Sequence, residues 1–346
     1  MTGAPRLALV GTGSMGSLHA RVIAQSDRCE LARVIDIREE AGRAVADRYG
    51  AVWTPELGDL SDVDAVVLAA PTSVHHDLAL AIVDAGKALL VEKPVAPTVE
   101  QGEAIVRAAE QRGLPLMCGF VERFNPAVLT VQALLDVPVH VAGVRHSPYV
   151  PRIRTGVAWD LLIHDVDMAL RLMGGVPVDV RGAFGFFHPD SAPDAEDVAE
   201  AVLSFPGGRI ATASASRISQ RKVRSLTVSE VRRTIEVDLL RRDVTIYHDG
   251  ARHTFDADNA GYRQQTVIEI PELVTAREPL AAQLDRFLGL LDDTVDAGEE
   301  RDSILPAHRV VGAVSAARPR AGTTAASAAA SLDSCAADPP AERRRL

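Results

Sequence analysis

The chain has 346 residues, 47% hydrophobic and 24% charged, with a formal net charge of −10. That length suggests two domains, at roughly 100–200 residues each, and the acidic balance, with no basic cluster beyond a terminal RRR, argues against a general nucleic-acid binder. Three scattered cysteines, Cys29, Cys118 and Cys335, indicate neither a disulfide framework nor a zinc site.

The N-terminal apolar run is too short for a signal peptide, and no stretch approaches the ~20 apolar residues of a membrane span. No membrane partner is expected, and the cytoplasm is the expected location. Lysine occurs only at Lys87, Lys93 and Lys222 among the 37 basic residues. Each is therefore a candidate for chemistry that a guanidinium cannot perform.

In chain order, RLALVG (6–11) reads as a strand, 15–26 as a helix, LARVID (31–36) as a strand and 38–49 as a helix. VDAVVLAA (63–70) is a fully buried strand, followed by a helix at 75–86, a strand at 88–93, a helix at 98–112 and a strand at 115–120. Repeated βα units with continuous apolar strands predict a doubly wound parallel sheet covered on both faces, an α/β Rossmann domain over 1–120.

A helix at 126–136 and a strand at 139–146 then lead to a helix at 158–174. Strand-like runs follow between 178 and 257, the last being ARHTFDA (251–257). Helices at 279–296 and 306–317 are expected to close a second, α+β domain over 121–317, with an open, mostly antiparallel sheet. The small, polar, Pro-containing residues 318–346 read as a disordered tail.

GTGSMG (11–16) follows a strand and opens a helix. Gly11 permits the tight turn, Gly13 the approach of a pyrophosphate and Gly16 close helix–strand packing, with helix N–H groups free for phosphate. Asp36 ends the next strand twenty residues beyond Gly16, where an acid bonds the adenosine ribose hydroxyls. It would repel a 2′-phosphate, favouring NAD over NADP, while nearby Arg38 leaves NADP open.

Glu92, Lys93 and Pro94 end a parallel strand, the edge at which open α/β sheets bind ligands. In AWDLLIHDVDMALRLMG (158–174), Asp160, His164 and Asp167 share one helical face. Asp165 and Arg171 fit structural roles. A metal at His164, Asp165 and Asp167 is discounted, because adjacent helix residues diverge and no other His/Cys cluster supports it. In GFVERFNP (119–126), Arg123 and Asn125 fit either substrate or cofactor binding, or helix capping.

GTGSMGSLHAR (11–21), APTSVHHDLALAIVDAGKALLVEKP (70–94) and DLLIHDVD (160–167) together resemble the glucose–fructose oxidoreductase/inositol dehydrogenase (Gfo/Idh/MocA) family of nicotinamide-dependent sugar oxidoreductases. The resemblance implies catalytic roles for Lys93, Asp160 and His164. It also implies cofactor contacts from Gly11, Gly13, Ser14, Met15, Gly16, Asp36, Arg38, Pro71, Thr72, His75, Glu92 and Lys93. Assembly as a homodimer or homotetramer through the open sheet is implied as well.

ERFNPAV (122–128), PRIRTGVAWDLLIHDVD (151–167) and RKVRSLTVSE (221–230) are similar to that family's nucleotide-sugar 3-dehydrogenases, which act on UDP-N-acetylglucosamine or UDP-glucose in aminosugar biosynthesis. That similarity adds Arg123, Asn125, Arg152, Arg154, Asp160 and His164 as candidate substrate contacts, with Arg221 or Lys222 as a further possibility for a diphosphate. A free cyclitol or small sugar as substrate, or a non-catalytic NAD-linked sensor, are the alternatives.

Overall fold

Strand-forming runs and glycine-bounded helices alternate as their hydrophobic periods require. The computed structural model describes residues 3–249 and 266–316. The expected strand at 251–257 and the expected tail at 318–346 lie outside them.

The first sheet has six strands, β1 (Arg6–Val10), β2 (Glu30–Ile35), β3 (Val52–Thr54), β4 (Ala65–Leu68), β5 (Ala88–Val91) and β6 (Leu116–Cys118). They run parallel in the order β3-β2-β1-β4-β5-β6. This is the doubly wound dinucleotide-binding order, with its crevice where the strand order reverses beside β1.

Strand alternation divides the apolar residues between two faces. Leu7, Leu9, Val67, Leu90 and Met117 pack beneath α1 (Ser14–Ala24) and α2 (Glu39–Tyr49). Ala8, Val66, Leu68 and Leu89 pack beneath α3 (His75–Asp84) and α4 (Val99–Gln111). The short edge strand β3 is too brief to carry a periodic signal in the sequence.

After α5 (Pro126–Leu134) the chain builds an eight-stranded sheet from β7 (His140–His146), β8 (Asp179–Gly185), β9 (Val198–Ser204), β10 (Ile210–Ser216), β11 (Val223–Ser229), β12 (Arg233–Asp238), β13 (Asp243–Asp249) and β14 (Thr266–Glu269). All its pairings are antiparallel except β7 with β10. The helix expected at 158–174 is a π-helical turn, Ala158–Leu162, running into α6 (Ile163–Met173) and ending on left-handed Gly174. α6 lies across β7 and β10.

The C-terminal helices depart from expectation. The span 279–296 is two helices, α7 (Pro279–Leu291) and α8 (Ala297–Asp302). Asp296 starts the second by accepting the Glu299 N–H at 2.7 Å, as an N-cap does. α7 does not close the second sheet. Its Leu280, Leu284, Phe287 and Leu288 join the first sheet's core, against α1. α9 (Leu305–Ala316) fills the junction, touching α4, α6 and β8.

Candidate active site

The glycine loop has the shape its sequence promised. Gly11 is left-handed (φ +90°), and a Cβ there would lie 2.7 Å from the Ala69 carbonyl oxygen. One on Gly16 would lie 1.9 Å from the Gly11 carbonyl oxygen, whereas Gly13 has open space around it. A backbone bare at Gly13 and pressed against β4 at Gly11 is a cradle for a pyrophosphate at the start of α1. Exposed Ser14 and half-buried Met15 open that helix.

Asp36 is buried and links the loop to β2. Its Oδ2 accepts the Thr12 N–H (2.7 Å) and hydroxyl (2.5 Å). Its Oδ1 accepts the Arg38 N–H at 2.8 Å, and the Arg38 guanidinium lies on the same carboxylate at 3.0 and 3.1 Å. Burial opposes the charge, but these bonds from Arg38 and Thr12 outweigh it and hold the carboxyl well below the usual range. Arg38 is largely exposed. It is the partner that can yield to a ribose hydroxyl.

The loops after β4 and β5 are tied together. Buried His75 lies between the carbonyl oxygens of Pro94 (2.9 Å from Nδ1) and Ala70 (2.8 Å from Nε2), and burial lowers its pKa. Its nitrogens are therefore engaged by the protein backbone, while Pro71 is exposed and Thr72 half-buried beside it. Glu92 is equally inward: its Oε1 lies 2.7 Å from His19 Nε2, and its Oε2 accepts the Lys93 N–H at 3.3 Å. His75 and Glu92 thus hold the Lys93 loop, whose Lys93–Pro94 peptide is cis.

Lys93 reaches from the end of β5 to the π-helical turn. Its Nζ donates to the Asp160 carbonyl oxygen at 2.6 Å and approaches Asp160 Oδ1 at 3.3 Å. Both side chains remain partly exposed. His164 is 9% exposed, and its Nδ1 is buried with no hydrogen-bond partner among the described residues. Burial, reinforced by the charges of Lys93, Arg145 and Arg224, drives its pKa well below the usual histidine value. Burial thus favours the neutral imidazole, four residues along the helix from the Asp160 that Lys93 binds, an arrangement that can take a hydroxyl proton and stabilise the oxygen left behind.

Supporting ion pairs fix the helix. Asp165, fully buried, binds Arg145 of β7 at 2.6 and 3.2 Å, and Glu122 takes the third contact of Arg145 at 3.0 Å. A Cβ on Gly143 would lie 2.8 Å from the Asp165 Cβ, so α6 approaches β7 as closely as glycine allows. Glu196 accepts the Ala158 N–H at 2.8 Å, anchoring the start of the π turn.

The structure corrects two expected substrate contacts. Arg123 is 4% exposed and forks onto Asp167 (2.9 and 2.6 Å) and Ser303 (2.7 and 2.9 Å). Asn125 caps α5 through Ala127 N–H (3.1 Å) and donates to the Leu239 carbonyl (3.1 Å). Their polar atoms are used up inside the protein. Arg152 and Arg154 are exposed on the loop before the π turn, with no ion pair among the described residues. Arg145 was missed, although a signal existed: in VHVAGVRH the inward alternation Val141, Gly143, Arg145 predicts a buried arginine, which requires paired acids.

Residues 5–120 match the model of an oxidoreductase family with an NAD-binding Rossmann fold, and residues 127–237 match the GFO/IDH/MocA C-terminal domain. The UDP-N-acetylglucosamine 3-dehydrogenase of Acidithiobacillus ferrooxidans is 32% identical over 289 residues, 83% of this chain and 88% of that protein.

The chain belongs to the GFO/IDH/MocA family.

As a member it is an NAD-dependent oxidoreductase acting on CH–OH groups. A solved structure of the Acidithiobacillus enzyme superposes with a TM-score of 0.77 at 29% identity, covering 91% of this chain and 99% of that one. Another family member, the inositol 2-dehydrogenase of Rhizobium meliloti, is 31% identical over 226 residues, 61% of this chain and 68% of that protein.

Proposed function

We propose that this protein oxidises a secondary hydroxyl, at C3, of a nucleotide sugar such as UDP-glucose or UDP-N-acetylglucosamine. The product ketone would feed aminosugar biosynthesis, because a ketone is what an amination step requires. The observation that carries the chemistry is Lys93 of the first domain bound to Asp160 of the second, beside an unpartnered His164. The substrate class is supported by the similarity to UDP-N-acetylglucosamine 3-dehydrogenase, which runs through most of the chain.

The glycine loop and Asp36 would hold NAD, which when bound would serve as the hydride acceptor. His164, neutral in its buried setting, takes the hydroxyl proton. The Lys93 ammonium donates a hydrogen bond to the same oxygen as negative charge develops there. Asp160 aims that ammonium through its carbonyl and its carboxylate.

A panel of UDP-sugars, inositols and free hexoses, followed by NADH absorbance, tests the reading. Turnover of a UDP-sugar is expected. Turnover of inositols alone would move the protein to the cyclitol dehydrogenases. His164→Ala and Lys93→Ala are each expected to bind NAD and to lose about 10²–10⁴-fold in kcat. Near-normal turnover in either removes that residue from the mechanism.

A further inference from the structure

The inner face of the second sheet carries more positive charge than its acids balance. On β11, Arg224 stands in register with Arg145 of β7, so the two side chains share the face covered by α6. Arg145 is matched by Asp165 and Glu122. Arg224 has no carboxylate partner among the described residues, and its Nη1 is buried without a hydrogen-bond acceptor.

Lys222 lies two residues earlier, on the same side of the chain, and also lacks an ion pair among the described residues. Burial and the nearby Arg224 lower its pKa. Lys222 is also one of only three lysines in the chain.

These cations line a cleft of about 250 Å³ with Arg221, Ser225, Asp238 and Arg241. The Asp238 carboxylate is already committed. It accepts the Leu240 and Arg241 N–H groups at 2.9 and 3.0 Å and lies 3.8 Å from the Arg241 guanidinium. Among the described residues, Arg221, Lys222 and Arg224 are left without an ion pair. Arg224 stands beside Arg145, which binds Asp165, the residue after His164, so the cleft opens on the side of the sheet that α6 covers.

An unpaired, desolvated guanidinium beside an ammonium calls for an anion with several acceptor oxygens and more than one charge. A single carboxylate supplies too little of either. We propose that Arg224 and Lys222, with Arg221 at the rim, bind the diphosphate of the substrate and thereby place its sugar against Lys93 and His164. This assignment rests on the nucleotide-sugar reading above.

The test uses the full chain and the variants Arg224→Gln, Lys222→Gln, Arg224→Lys and Lys222→Arg. Thermal melting and NAD binding serve as folding controls. Measured are kcat and KM for UDP-N-acetylglucosamine and UDP-glucose, and inhibition by UDP and by inorganic pyrophosphate. Each Gln variant is expected to raise KM at least about tenfold, equivalent to the loss of one charge-assisted contact. kcat should change less, inhibition by UDP and pyrophosphate should weaken in parallel, and the charge-keeping variants should recover most of the loss.

Folded Gln variants with unchanged KM and unchanged inhibition would overturn the site while leaving the substrate reading intact. Failure of wild type to oxidise any UDP-sugar, with calorimetric binding of pyrophosphate that the Gln variants weaken, would keep the anion site and reject the substrate. No pyrophosphate binding and no UDP-sugar turnover would reject both. Should Arg224→Gln fail to fold, the less buried Lys222→Gln carries the same comparison.

Discussion

His164 combines two properties that oppose each other in water: it must accept a proton, yet it sits where a proton is unwelcome. Burial, with Lys93, Arg145 and Arg224 nearby, keeps it neutral. The sign of the pH effect follows. The neutral ring is the active form, and its depressed pKa keeps it neutral to lower pH. The acid limb of kcat/KM is therefore expected below the ordinary histidine value of ~6.5. A limb at or above that value would assign it to another group. Asp36 makes the second residue-scale case. Asp36→Ser removes the carboxylate that holds Arg38, and it is expected to raise KM for NAD about tenfold while lowering KM for NADP, because Arg38 becomes free to meet a 2′-phosphate. Parallel titration of both cofactors checks it, and an unchanged preference would return Asp36 to a purely structural role. At this scale the positions that bring Lys93 to Asp160 were legible in the sequence, because Asp160 and His164 recur at helical spacing and Lys93 stands at a strand end. The burial of Arg123 was not, because its partner Asp167 lies 44 residues away.

Within the 158–174 segment, burial and charge are reconciled by pairing. Asp160 meets Lys93 of the first domain, while Asp165 and Asp167 are buried and each is clamped by an arginine from another element. Asp165 is held against burial, which raises its pKa, by Arg145. Removing Arg145 leaves that acid and Glu122 without their shared cation. Arg145→Met is expected to destabilise the protein by about 3–5 kcal/mol, and Arg145→Met with Asp165→Leu by less, because the more deeply buried of the two acids is then no longer stranded. Urea unfolding of both variants checks this, and a double variant less stable than the single one contradicts it. The helix itself was legible from its period. The π-helical turn at its start was not, since it depends on Glu196 and on the space available above β10.

Across the whole molecule, buried neutral histidines link pH to stability. His308 on α9 accepts the Val95 N–H at 2.9 Å, while its Nδ1 lies 2.8 Å from the Ile304 carbonyl oxygen. It thereby joins the C-terminal helix to the loop that follows Lys93. Burial pushes its pKa down to about 4. Between the unfolded value and that one, the unfolded chain binds a proton that the native state refuses. Stability should therefore fall as pH drops from about 6.5 toward 4, by about 3 kcal/mol from His308 alone. His308→Gln should show a shallower fall in urea midpoint over that range, and identical slopes would remove His308 as the cause.

The parallel, doubly wound class of the first sheet, the glycine loop, the acid after β2, Lys93 at a strand end and the helical spacing of Asp160 and His164 were all determined by sequence alone. Each is a local pattern, a period or a fixed spacing written within a few dozen residues. Tertiary structure decided which charges meet. It sent Arg123 to Asp167 and Arg145 to Asp165, left Arg224 and Lys222 without an ion pair among the described residues, and returned α7 to the first sheet. Those outcomes depend on contacts between distant segments, where a buried charge is tolerable only if the fold brings its opposite to it, and no local spacing records that meeting.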